Sequence, residues 1–229
     1  LETATLAGGR IIATFLQDAY HIASVYDLDG AFLHPITLPG IGSLAGISAK
    51  MKDKTAFYSF SSFNVPSTIF KYDVESNTST VYYAPDVDLD VSGFEIRQIF
   101  YESKDGTRVP MFVVHKKGLE LDGNNPTLLY GYGGFNVTYS PSFSITRAVW
   151  LEQGGVFVLA NIRGGGEYGE EWHWAGAVLN KQNVFDDFIA AAEYLIDAGY
   201  TKPELLCASG GSNGGLLTGA VLVQRPELF

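Results

Sequence analysis

The pentapeptide Gly210-Gly211-Ser212-Asn213-Gly214 constrains this chain more than any other stretch. It reads as Gly-x-Ser-x-Gly, with the apolar run Leu205-Leu206-Cys207-Ala208-Ser209 before it and the apolar segment Leu216–Val223 after it. A serine on a very tight strand-to-helix turn adopts a strained backbone, and the residues two before and two after it must lack a Cβ. Such a turn lifts the serine hydroxyl clear of the strand ends. It also aims the first N–H groups of the following helix at a reacting carbonyl oxygen. The chain has 26 glycines, so the pentapeptide alone also fits a flexible loop. The flanking strand and helix favour a nucleophile elbow. Leu216–Val223 is expected to form a buried helix, and Cys207 a small core residue of the preceding strand.

From Pro126 to Phe229, strand and helix patterns alternate. Pro126–Tyr132 and Gly155–Ala160 read as buried strands, Thr146–Gln153 and Val184–Ala198 as helices, with Gly199 as the stop signal. Glu95–Glu102 and Val109–His115 read as a hairpin around Asp105-Gly106. The expected fold class is α/β: a parallel-rich sheet with helices on both faces. Residues 1–85 read differently, as short strands. Tyr26-Asp27-Leu28 and Tyr72-Asp73-Val74 recur after 46 residues, a period that suits four-stranded propeller blades as well as an irregular meander. Val87–Val91 reads as a linker, which divides the chain at 1–85 and 86–229.

A net charge of −10, with Lys116-Lys117 as the lone basic cluster, argues against a nucleic-acid partner. No apolar run is long enough for a membrane span, and no membrane partner is expected. The single cysteine rules out an internal disulfide and suits a reducing, cytoplasmic compartment. Arg163-Gly164-Gly165-Gly166 lacks the Lys-Ser/Thr of a phosphate loop and reads as a structural turn, across which Arg163 and Glu167 are expected to pair. Asp186-Asp187 is expected at a helix cap or surface rather than at a metal, because neighbours on a helix point in different directions. His173, between Trp172 and Trp174, reads as a packed structural histidine.

Three glycine-rich runs occur in order: Tyr130-Gly131-Tyr132-Gly133-Gly134-Phe135, Ala160–Gly169 and Gly210–Gly215. With Ser103-Lys104-Asp105-Gly106, Asn180-Lys181-Gln182-Asn183 and Phe185-Asp186-Asp187-Phe188, they closely resemble the prolyl oligopeptidase family of serine peptidases, most strongly from Phe94 onward. The resemblance implies an α/β-hydrolase domain at 86–229 preceded by the last blades of a β-propeller at 1–85. It implies cleavage of short proline-containing peptides on the carboxyl side of proline, by a protein that is a monomer at full length and uses no cofactor or metal. Matched motif by motif, Ser212 is the implied nucleophile. The Asn213 backbone N–H and the Tyr132 hydroxyl are the implied oxyanion donors, and Phe135 is the implied lining of the proline pocket. Read from the residues alone, Tyr132 fits a core tyrosine and Phe135 fits packing. A related oligopeptidase, an acylaminoacyl peptidase, an esterase or a non-catalytic binding module remain open alternatives.

In α/β-hydrolases the acid and the histidine follow the serine. Here Asn213–Phe229 holds one acid, Glu227, and no histidine; His21, His34, His115 and His173 all precede Ser212. The chain is therefore expected to be an internal piece of a longer enzyme. By itself it is expected to have at most a trace of activity.

Overall fold

The computed structural model describes residues 1–229 and divides into two compact units. One comprises Leu1–Val91 with Ser140–Ile145, the other Ser92–Tyr139 with Thr146–Phe229.

The first unit is two four-stranded antiparallel sheets. β1 (Thr3–Ala7), β2 (Arg10–Gln17), β3 (Tyr20–Tyr26) and β4 (Phe32–Ile36) form one; β5 (Ser43–Ser48), β6 (Thr55–Ser62), β7 (Val65–Asp73) and β8 (Thr78–Tyr83) form the other. Both run in simple sequential order, the up-and-down arrangement of propeller blades. β6 shows why: Ala56, Tyr58, Phe60 and Ser62 are buried in strict alternation, as the two-residue period of a strand requires. Ala56, Tyr58 and Phe60 share one apolar cluster with Ile12, Val25 and Ile36 of the first sheet. The 46-residue repeat falls at the end of the third strand of each sheet. There Asp27 Oδ1 accepts from the N–H groups of Asp29 and Ala31, and Asp73 Oδ1 from those of Glu75 and Ser76. The repeat is a turn-closing device.

The second unit is built on a five-stranded mixed sheet. Its strands are β9 (Phe94–Glu102), β10 (Arg108–Lys116), β11 (Thr127–Gly131), β12 (Val156–Ala160) and β13 (Leu206–Ser209), in the order β13-β11-β12-β10-β9. The hairpin β9–β10 joins β12 antiparallel, whereas β12, β11 and β13 are mutually parallel. Helix α1 (Ile145–Glu152) lies on one face, where the Arg147 guanidinium sits over the Phe157 ring. After the short α2 (Glu170–Trp174), α3 (Lys181–Asp197) and α4 (Asn213–Gln224) cover the other face and bury Val156, Val158 and Ala160. The buried stripe of α3 is Val184, Asp187, Phe188, Ala191, Ala192 and Leu195, a helical period, with Ile189 buried at its margin.

Four expectations need correction. Helix α4 is not a buried helix: Gly214, Leu217 and Val221 are its buried residues, while Leu216, Leu222 and Val223 are exposed. Cys207 is exposed rather than packed in a core. It lies on the edge strand β13, whose pleat turns Leu206 and Ala208 toward α3 and α4 and Cys207 the other way. Arg163 pairs with Asp187 and Asp105, not with Glu167, and Asp187 is wholly buried rather than at a surface.

Candidate active site

Ser212 stands between β13 and α4 with φ 55° and ψ −115°, a backbone region that a residue with a side chain rarely occupies. The flanking glycines explain how the turn closes. A Cβ on Gly210 would sit 2.6 Å from the Gly214 carbonyl oxygen and 2.7 Å from that of Gly131. A Cβ on Gly214 would also sit 2.7 Å from the Gly131 oxygen. One on Gly211, the middle residue, would meet nothing within 4 Å. The steric demand therefore falls on the two positions that the motif specifies. The hydroxyl of Ser212 is exposed, and the Asn213 N–H beside it has no backbone acceptor. As the first N–H of α4 it carries the positive end of the helix dipole.

Tyr132 follows β11 directly. Its backbone carbonyl accepts a 2.5 Å hydrogen bond from Asn213 Nδ2, which ties its loop to the elbow. Gly134 makes the approach possible, since a Cβ there would lie 2.5 Å from that nitrogen. The Lys181 ammonium, at the start of α3, completes the junction. It donates to the Gly133 carbonyl at 2.7 Å and to Asn213 Oδ1 at 3.3 Å. Burial pushes the Lys181 pKa down. The Tyr132 hydroxyl forms no hydrogen bond within the chain, and its ring packs on Tyr139 with centroids 5.5 Å apart. Tyr139 is held in turn by the glycine-rich turn. Asn161 Nδ2 donates to its carbonyl at 2.6 Å, and its N–H donates to Glu167 Oε1 at 3.1 Å. Desolvation pushes the Glu167 carboxyl up, because no cation faces it.

Phe135 is 75% exposed with φ 55°. It lines a cavity of about 350 Å³ together with Gly134, His173, Trp174, Val178, Lys181 and Asn213. His173 Nδ1 lies 2.8 Å from the Gly164 carbonyl oxygen, so its ring is engaged with the glycine-rich turn. No histidine is hydrogen-bonded to the Ser212 hydroxyl. Asp186 accepts from Gln182, while its neighbour Asp187 faces Arg163; the two carboxylates diverge.

The structure thus brings Ser212, Asn213, Tyr132 and Phe135 around one region of the second unit. Sequence reasoning missed Lys181, the Asn213 side chain and Tyr139. Lys181 carried a legible signal: a cation in the first turn of a helix, where the dipole disfavours it.

Comparison with known proteins gives the family. The model described as "Prolyl oligopeptidase, N-terminal beta-propeller domain" matches residues 1–85, and that of the "Prolyl oligopeptidase family" matches residues 141–229. A prolyl endopeptidase of Elizabethkingia meningoseptica is 48% identical over 221 residues, which are 96% of this chain and 31% of that protein. A solved structure from a study of two prolyl endopeptidases superposes with a TM-score of 0.91 at 48% identity, over 99% of this chain and 34% of that one. Prolyl oligopeptidase B from Galerina marginata, bound to a 25mer macrocyclization substrate, gives 0.92 at 36% identity, over 100% of this chain and 32% of that one. The chain spans about a third of the length of these relatives.

Proposed function

The chain belongs to the prolyl oligopeptidase family, and from that premise we propose that it carries the nucleophile and oxyanion hole of a serine endopeptidase that cleaves short peptides after proline. In this reading Ser212 Oγ attacks the carbonyl carbon of the proline residue. The oxyanion that forms accepts hydrogen bonds from the Asn213 N–H and the Tyr132 hydroxyl. The leaving amine departs with a proton, and water then releases the acyl group from Ser212. Phe135 forms part of the wall that receives the pyrrolidine ring, an apolar object suited to an aromatic surface.

The elbow carries the proposal. Ser212 is exposed, strained and mounted on a helix N-terminus, with glycines at the two positions where a Cβ would strike a carbonyl. A neutral serine needs a base to take its proton, and none of the four histidines here is bonded to it. We assign the base and its acid partner to the part of the relatives' length that this chain does not span.

The test is hydrolysis of fluorogenic peptides by the full-length protein. Cleavage after proline in preference to lysine or arginine is expected, and Ser212→Ala should lower kcat by at least about 10⁴-fold. Preference for a basic residue would favour a related oligopeptidase. In the present chain alone, rapid stoichiometric fluorophosphonate labelling of Ser212 would overturn the assignment of the base.

A further inference from the structure

Four groups close a ring behind the elbow: the Tyr132 carbonyl, the Asn213 side-chain amide, the Lys181 ammonium and the Gly133 carbonyl. The ring joins the loop that carries Tyr132 to the residue whose N–H starts α4. These are the two donors assigned above to the oxyanion, and no other side-chain hydrogen bond links their backbones. Lys181 is an unfavourable residue for this place. It is half-buried, no carboxylate lies within ion-pair distance of it, and it occupies the positive end of α3. A merely structural hydrogen bond there could be made by a neutral amide. Local rules broken without compensation mark sites where function sets the residue.

We propose that Lys181 is a positioning residue for the oxyanion hole, holding the loop of Tyr132 and the Asn213 N–H at a fixed separation. The inference rests on the function proposed above. Donors that must meet an oxyanion at hydrogen-bond distance tolerate little displacement, and a shift of about 1 Å costs about 100-fold in rate. The loop itself is packed, with Gly133 buried against Val184 and Ile162 and Tyr132 against Tyr139, but the side-chain hydrogen bonds that tie it to the elbow are those of the ring.

The experiment compares the full-length protein with Lys181→Met, Asn213→Ala and the double variant. Asn213→Ala removes the side-chain amide and keeps the backbone N–H. Lys181→Met is expected to lower kcat on a proline-containing fluorogenic peptide by about 10- to 100-fold, with KM within about twofold. The double variant is expected to be little slower than the slower single, because both changes open the same ring. The rate of Ser212 labelling by a fluorophosphonate should fall in parallel, and this readout does not depend on which peptide the enzyme prefers. Should Lys181→Met fail to fold, Lys181→Gln takes its place; its shorter side chain does not span both acceptors, and a fall in kcat is again expected. The proposal is overturned if the variants keep kcat and labelling rate within about twofold of the parent, or if the two changes act additively. If the parent is labelled quickly but does not cleave after proline, the substrate assignment falls and the labelling rates still decide the role of Lys181. If the parent is not labelled at all, both fall.

Discussion

Arg163 and Asp187, one in the glycine-rich turn and one on the buried stripe of α3, form a buried ion pair that is hydrogen-bonded at both ends. Asp187 Oδ2 accepts from the Arg163 backbone N–H at 2.9 Å, and Asp187 Oδ1 from a terminal guanidinium nitrogen at 2.6 Å. The other side of the guanidinium reaches Asp105 at 2.6 Å in the β9–β10 turn, so one residue ties three segments together. Arg163 holds the Asp105 carboxyl well below the usual range.

Removing one partner of such a pair leaves an uncompensated buried charge. Asp187→Ala should therefore destabilise the second unit by about 3–5 kcal/mol. Arg163→Met with Asp187→Leu, which removes both charges, should cost less than the single change. Urea denaturation of the three proteins checks the order.

The elbow glycines make a sharper local prediction. Gly210→Ala and Gly214→Ala place a Cβ against carbonyl oxygens and should each cost about 1–3 kcal/mol, displacing Ser212 as they do. Gly211→Ala meets open space and should change stability by less than about 0.5 kcal/mol. Thermal melts of the three, with fluorophosphonate labelling of the full-length forms, separate the two classes.

Tyr132→Phe removes a hydroxyl that has no partner in the fold, so Tm should stay within about 1–2 °C of the parent. In the full-length enzyme kcat should nevertheless fall by about 10²–10³-fold, the usual cost of one oxyanion donor. An unchanged kcat would remove Tyr132 from the site.

Glu167 makes stability depend on pH. Burial raises its carboxyl pKa in the fold, so the protonated form is the one that suits the folded state. Its favourable contribution is whole below the ordinary glutamate range and is lost as pH rises through the raised value. Glu167→Gln stays neutral and keeps an oxygen to accept from Tyr139 and Asn161. Its Tm relative to the parent should therefore rise between about pH 4 and about pH 8. A constant difference across that range would mean that the parent carboxyl titrates normally.

Much of this was legible in the chain because the causes are local. Strand alternation in Thr55–Ser62, the 46-residue blade period and the helical spacing of Val184–Leu195 follow from the two- and 3.6-residue periods of the backbone. Asp187 was legible as well: at helical spacing between Val184 and Ala191 it lies on the stripe that must be buried. The pentapeptide Gly210–Gly214 determined its own turn, because two missing Cβ atoms and one strained serine decide the conformation within five residues.

What only the tertiary structure decided are the pairings between segments far apart in sequence. Asn213 meets the carbonyl of Tyr132, Lys181 meets Gly133 and Asn213, and Arg163 chooses Asp187 over its near neighbour Glu167. No local period encodes such partners. A hydrogen bond or ion pair is selected by which groups the packed sheet and helices bring within about 3 Å, and by the high cost of leaving a buried charge without one. The exposure of Cys207 was settled in the same way, since a strand's pattern gives its alternation but not which of its two faces the fold covers.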